Sequence, residues 1–343
     1  MGDTVRIGKA KRKKVLSEAD RTRRSKHIDL IVTLIPVALM AVYYYGIRVL
    51  ILAACAIIFS VLSDYLCLRL CGDRKWQSYD FSSVISPLIL VLILPASIPY
   101  WLAVVGVLIA TFVAKYPFGG YGKNIFNPAA VAFAVLALGW PEKVLSYPQP
   151  FDNLGVSFTV GGSLTNGVAY RLQLGGAPAI PVMDRLLGNF AGPMGATCIL
   201  VLMACGLYLL VRRTISWQVV TGTLGSAAAM AFLFPRVSVS RVDSVVFELI
   251  AGVLVFGAVF MASDPVTSPK TGWGKALYGV LLGVLTMLFR YFGKMEITFV
   301  FALLLCNAVA PKCDEYMALL IQAAKRAARR LAKKPLDPKT QGE

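Results

Sequence analysis

The sequence predicts an all-α polytopic membrane protein with about ten transmembrane helices, and three observations lead there. Of 343 residues, 57% are hydrophobic and only 15% charged, against about a quarter charged in a soluble domain. The apolar residues are gathered into runs separated by polar turns. The net charge of +17 is gathered at the ends: ten Lys/Arg precede Asp29 and eight follow Pro311. Basic ends flanking apolar spans follow the positive-inside pattern. That reading makes membrane lipid the partner of the charge and excludes nucleic acid. It places both termini on the cytoplasmic side of the inner membrane, so the number of crossings is even.

Each element follows in order. Residues 1–28 form a basic cytoplasmic leader, expected to be mobile and drawn to anionic lipid. The first apolar run begins near Leu30, after a long polar segment and without a small-residue cleavage site, so it is a crossing and not a signal peptide. Residues 29–140 hold crossings one to five: Leu30–Tyr45, Val49–Leu68, Ser82–Ser97, Trp101–Val113 and Ala129–Trp140. Pro95 and Pro99 make the outer turn between the third and fourth. The fifth is short, and about 12 residues at 1.5 Å each do not cross a ~30 Å core. Residues 141–193 form an extracytoplasmic loop without strong helical period. Residues 194–311 hold crossings six to ten: Gly195–Val211, Val219–Phe234, Val245–Ala262, Ala276–Phe289 and Ile297–Ala310. Residues 312–343 are a basic cytoplasmic tail, patterned as an amphipathic helix on the inner surface.

Two stretches break this pattern. Met261-Ala262-Ser263-Asp264-Pro265-Val266-Thr267-Ser268-Pro269 ends the eighth crossing with an acid, two prolines and three hydroxyls. Phe118-Gly119-Gly120-Tyr121-Gly122-Lys123-Asn124-Ile125-Phe126-Asn127-Pro128 precedes the short fifth crossing. Proline lacks a backbone N–H, and freed backbone groups survive at membrane depth only where they line protein or a cavity. Short, Gly/Pro-interrupted segments in both halves point to a binding site and suggest a five-plus-five repeat.

Lipid and the two breaks constrain single residues. Asp264 either caps a helix end or forms part of an ion or flavin site. Asp80 is read as the N-cap of the third crossing, Glu248 as a hydrated interface residue, and Arg290 as snorkelling to the outer headgroups. Asn127 and Asn307 are candidates for pairing freed backbone groups. Gly119, Gly120 and Gly122 allow close backbone approach to a neighbour or a ring, and Phe118, Tyr121 and Phe126 are placed to stack on one. His27, the one histidine, is expected at headgroup level. The seven cysteines form no CxxC pair and read as small buried residues. A histidine-based metal site is excluded.

Three stretches resemble a known family. They are Asp80-Phe81-Ser82-Ser83 through Leu94-Pro95; Gly119-Gly120-Tyr121-Gly122-Lys123-Asn124-Ile125-Phe126-Asn127-Pro128-Ala129; and Asp264-Pro265-Val266-Thr267-Ser268-Pro269 with Arg290-Tyr291-Phe292-Gly293 and Asn307 behind it. Over about residues 28–316 the chain resembles the RnfD family, the membrane subunits of the Rnf electron-transport complex. It is more distantly similar to the NqrB subunits of the sodium-pumping NADH:quinone reductase. The resemblance implies a subunit of an ion-translocating ferredoxin:NAD oxidoreductase that is not active alone. It also implies the A, B, C, E and G partners of the Rnf complex, a coupled Na⁺ or H⁺, and FMN, with room for a second, non-covalent flavin such as riboflavin.

In that family FMN is joined through its phosphate to a threonine of an Asp-x-x-Ser/Thr-Gly-Ala-Thr motif in the outer loop. Here Gly195-Ala196-Thr197 lacks the acid, with Ala191 in its place, and Met194 replaces the hydroxyl residue, so Thr197 reads as structural. The candidate is Thr165, in Gly161-Gly162-Ser163-Leu164-Thr165-Asn166-Gly167; the alternative is that covalent FMN has been lost. Besides Thr165, the residues of the two breaks expected to bind the cofactor are Gly119, Gly120, Asn124, Asn127, Asp264 and Thr267. A non-redox secondary transporter or a structural anchor on the same scaffold is the competing reading, because broken crossings suit transport equally.

Overall fold

Apolar runs bury their backbone by forming helices, since every N–H and C=O is then paired within the segment. The computed structural model describes residues 2–70, 81–120, 122–152, 154–156, 164–237, 240–293 and 297–332, with side chains described within 22–326. The first half comprises α1 (Gly2–Tyr45), α2 (Arg48–Leu70), α3 (Ser82–Ile93), α4 (Tyr100–Ile109) and α5 (Pro128–Gly139). The last turn of α4 continues as a π-helical segment, Ala110–Lys115. Pro128 stands in the first turn of α5, where its missing N–H costs nothing.

The loop that follows α5, whose sequence shows no strong helical period, carries several short elements among its described residues. It holds α6 (Pro141–Val144), a two-residue antiparallel pair of β1 (Tyr147–Pro148) and β2 (Leu164–Thr165), α7 (Val168–Gln173) and α8 (Val182–Leu187). Helix α8 ends at Gly188, at φ 91°, where a Cβ would lie 2.6 Å from the Cys198 nitrogen. Only glycine fits that turn.

The second half comprises α9 (Ile199–Val211), α10 (Trp217–Leu233), α11 (Arg241–Ile250), α12 (Leu254–Phe260), α13 (Gly272–Phe292) and α14 (Thr298–Ala332). Helices α10 and α13 lie close along their length, because Gly279 lets α13 settle on α10: a Cβ there would be 2.7 Å from the Val219 carbonyl oxygen. Contacts of α1 with α9 and of α5 with α14 join the halves. One core runs through both, from Leu34 and Leu90 to Phe133, Phe256 and Phe299.

Each of the ten apolar runs carries a helix or a helix pair. Three helices among the described residues are long and apolar enough to cross a membrane: Thr22–Tyr45, Arg48–Leu70 and Gly272–Phe292. A fourth is the pair α11 and α12, bent by 57° at its break. The eighth apolar run is therefore two helices, parted at Ala251-Gly252-Val253, with Gly252 at φ 61°. Two boundaries also differ from expectation. The leader expected to be mobile is helical and continuous with the first apolar run. The tenth run and the amphipathic tail are one helix with Pro311 inside it. Asp80 lies outside the described residues, and the residue in the N-cap position of α3 is Phe81.

Candidate functional site

The two interrupted stretches meet. In the first, Gly119, Gly120 and Gly122 take φ of 99°, 84° and 88°, a region that disfavours any Cβ. Close approach, the role expected of them, is not the reason at Gly120 and Gly122: a Cβ on either would meet nothing within 4 Å. Asn127 then caps α5, its Oδ1 accepting from the N–H groups of Ala129 and Ala130 at 3.1 and 3.3 Å. Its Nδ2 donates to the Met261 carbonyl oxygen at 3.4 Å, which ties the first break to the second. Asn124 Nδ2 donates to the Phe126 carbonyl oxygen at 3.1 Å.

In the second break, Asp264 organises its own turn. One carboxylate oxygen accepts from the Val266 N–H at 3.1 Å and the other from the Thr267 hydroxyl at 3.3 Å. The Ser268 N–H donates to the Asp264 carbonyl oxygen at 3.0 Å. These bonds replace those that Pro265 and Pro269 cannot make.

Between the breaks lies a cavity of about 560 Å³, within the usual range of small-molecule and cofactor sites. Its walls come from α1 around Thr22–Leu30, the start of α3, residues 122–129 and residues 259–266. Two buried polar atoms of residues that line it, Asn124 Oδ1 and Ser263 Oγ, have no hydrogen-bond partner among the described residues. One is an acceptor and the other offers a donor. Arg23, Lys26, Lys115 and Lys270 add positive charge around the same space. The lining thus offers a ligand one acceptor, one hydroxyl and several cations.

Of the residues expected to bind a cofactor, Asn124, Asn127 and Asp264 line this cavity. Gly119 and Gly120 shape the turn that leads into it, and Thr267 stands behind Asp264, 4% exposed. Thr165 is apart from them, in β2 of the loop after α5. Its hydroxyl accepts from Gln149 Nε2 at 3.2 Å and donates to the Tyr147 carbonyl oxygen at 3.4 Å. Thr197 is 1% exposed. Of the three aromatic residues expected to stack on a ring, Phe118 and Phe126 pack edge to face with centroids 6.3 Å apart, and Tyr121 lies outside the described residues.

Several single-residue expectations are corrected. Arg290 does not snorkel: it is 3% exposed and bonds the Glu248 carboxylate at 2.9 Å, the Glu248 carbonyl oxygen, and the Ala251 carbonyl oxygen at 2.6 Å. Glu248 is not hydrated: it is 2% exposed and also holds Arg236 at 2.7 Å. The break between α11 and α12 frees these carbonyls, and a guanidinium with several donors answers them. Asn307 accepts from the Tyr278 hydroxyl at 2.7 Å and not from a freed N–H. His27, expected at headgroup level, is buried and lines the cavity.

Sequence reading also passed over Asp64, which sits within the second apolar run and bonds Lys115 at 2.7 Å. An acid inside an apolar run was the available signal.

The model of the NQR2, RnfD, RnfE family matches residues 12–320. The chain is 30% identical over 322 residues to the D subunit of the ion-translocating oxidoreductase complex of Actinobacillus pleuropneumoniae serotype 5b, covering 84% of this chain and 91% of that one. It is 30% identical over 287 residues to the D subunit of the proton-translocating ferredoxin:NAD(+) oxidoreductase complex of Clostridium ljungdahlii, covering 82% and 86%. To the D subunit of the ion-translocating oxidoreductase complex of Stutzerimonas stutzeri it is 29% identical over 313 residues, covering 84% and 88%. Matched by the family model over most of its length and by relatives 30% identical, this chain belongs to the NQR2, RnfD, RnfE family.

Proposed function

We propose that the chain is the RnfD-type membrane subunit of an ion-translocating ferredoxin:NAD oxidoreductase, working with the A, B, C, E and G partners of that complex in the inner membrane, and that its cavity holds a flavin non-covalently. The observation that carries the cavity reading is the pair of orphaned atoms, Asn124 Oδ1 of the first break and Ser263 Oγ of the second, on residues that line the same cavity. A flavin's pyrimidine edge offers an N–H and carbonyl oxygens that match them. When bound, flavin supplies one- and two-electron transfer. The chain's residues orient it, exclude water, and balance its charge with Arg23, Lys26 and Lys115. Thr165 is the proposed attachment point for FMN on the outer side, where its hydroxyl would exchange the bond to Tyr147 for a phosphoester.

The proposed topology is ten crossings with both termini cytoplasmic, arranged as two inverted halves of five. The neighbour pattern supports it. Helix α2 packs on α3 and α4 as α10 packs on α11, α12 and α13. Helix α4 packs on α5 as α13 does on α14, and α1 packs on α3 as α9 does on α12. The inversion follows because five crossings return the second half to the opposite side.

Mass spectrometry of the intact chain and of its loop peptides, from cells that also supply the partner subunits and the flavin transferase, tests both sites. The expected result is an FMN-sized addition on the peptide carrying Thr165, absent in Thr165→Ala. A second, releasable flavin should also be found, lost in the double variant Asn124→Ala/Ser263→Ala. A complex with full subunit content and no flavin on this chain overturns the reading.

A further inference from the structure

The start of α13 fixes where the last helix points. Asp314 of α14 accepts from the N–H groups of Lys270 and Thr271 at 2.7 and 3.0 Å, just before α13 begins at Gly272. The Tyr278 hydroxyl of α13 meets Asn307 of α14 at 2.7 Å. Both pairs keep one antiparallel register, since Tyr278 lies as far after Thr271 as Asn307 lies before Asp314. Asp314 stands beyond Pro311, so the register survives that proline, and no Gly or Pro follows it before Ala332 to bend the helix. Helix α13 is long and apolar enough to cross a membrane. Trp273 at its start is 66% exposed, as suits a headgroup-level aromatic. After Asp314, α14 has no α13 beside it, and about 18 residues at 1.5 Å each carry it roughly 27 Å past that end. A lipid-binding amphipathic helix lies in the plane of the interface, whereas this one continues along the axis of a crossing. It still keeps an apolar face. Tyr316, Leu320 and Ala323 share it at i, i+4, i+7 spacing, with Leu319 at its edge. Tyr316, Leu319 and Leu320 are 57%, 64% and 45% exposed.

We infer that this face of α14 docks in an apolar groove rimmed by Asp and Glu on a cytoplasmic protein, as a helix-in-groove contact. Charge complementarity selects the occupant. Six of the ten residues from Lys325 to Lys334 are Lys or Arg, and none is acidic. Lys325 and Arg326 are exposed and turn away from the apolar face, where they meet the rim of a groove and not its floor. A second copy of this chain brings the same positive charge, and so do residues 1–28 with their ten Lys/Arg. Like charges set against each other disfavour both pairings. Anionic lipid matches the charge, but the bilayer lies behind Asp314 and the apolar face extends away from it.

This inference rests on the proposed function for its membrane orientation and for where the partner is sought, among the subunits of the complex. The test places a photoreactive amino acid at Leu320 of the full chain, in cells that also supply the partner subunits, and identifies the adduct by mass spectrometry. The expected adduct joins position 320 to a cytoplasmic protein at a segment carrying Asp or Glu. Its yield should fall about tenfold or more in Lys325→Glu/Arg326→Glu, because rim charges of the wrong sign oppose docking. The same photoreactive group at Gln322, exposed on the opposite face, should give about tenfold less adduct than at Leu320. Should the double reversal lower the thermal midpoint of the purified chain, Lys325→Gln/Arg326→Gln replaces it, and the yield should still fall. A main adduct to phospholipid, to a second copy of this chain or to its own residues 1–28 overturns the inference. So does a yield that charge reversal leaves unchanged. Full subunit content with no protein adduct overturns the docking and leaves the proposed complex standing. A charge-sensitive adduct to an acidic protein outside the complex leaves the docking standing and counts against the proposed complex.

Discussion

Asn127 Nδ2 donates to the Met261 carbonyl oxygen at 3.4 Å, across 134 residues of sequence. The same side chain caps α5 through its Oδ1. One amide thus ends one break and holds the other, so the cavity's two walls share a residue.

Asn127→Ala removes both functions. Loss of an N-cap costs about 0.5–2 kcal/mol, and the Met261 carbonyl is left without its donor. The expected outcome is a lower midpoint in thermal unfolding of the purified complex together with weaker retention of releasable flavin. A variant with lowered midpoint and full flavin content would confine Asn127 to a structural role.

Glu248 lies between Arg236 and Arg290, with all three side chains largely buried. Removing one partner from such a group costs about 3–5 kcal/mol, because the remaining charge stays buried. Glu248→Gln should therefore cut the yield of assembled protein more than Arg290→Met, since it leaves two guanidinium groups facing each other. Yield on size-exclusion chromatography checks the order.

Asp264 holds its turn with acceptors that an amide supplies only in part. Asp264→Asn keeps one acceptor oxygen and loses the charge at the cavity. Assembly should persist while coupled ion transport in membrane vesicles falls. Unchanged transport would favour the anchor reading of the scaffold.

Asp314, in α14 beyond the tenth apolar run, gives a pH dependence. Burial acts to raise its carboxyl, but the N–H of Lys270 and the hydroxyl and N–H of Thr271 outweigh burial and hold it below its ordinary value. A depressed carboxylate adds stability that is present above its unfolded value, about 3.9. That stability is lost as pH falls through the lower folded value. Amide exchange at Lys270 and Thr271 should accelerate, relative to reference amides, as pH drops below about 3.9, and Asp314→Asn should remove this step.

The helices and the two breaks were legible because their signals are local. Lipid demands apolar runs, and Pro, Gly and Asp within or beside such runs stand out residue by residue. The glycines of 119–122 were legible as special, though their positive φ, not close packing, is what requires them. What stayed hidden is paired over distance. Glu248 and Arg290 are 42 residues apart, and each alone resembles an interface residue. Only their meeting shows that they serve the break at Gly252. Pro311 misled for the opposite reason: a local breaker was absorbed within a long helix whose neighbours hold it on both sides.

That unbroken helix has a mechanical consequence. Thirty-five residues at 1.5 Å each make a rod about 52 Å long. Its first part packs on α5 and α13, and Asn307 pins it to Tyr278. Its basic end extends past Pro311 and beyond the bundle's apolar runs. A partner gripping that end holds a lever whose fulcrum lies among the helices next to the cavity, so a sideways push outside arrives inside as tilt.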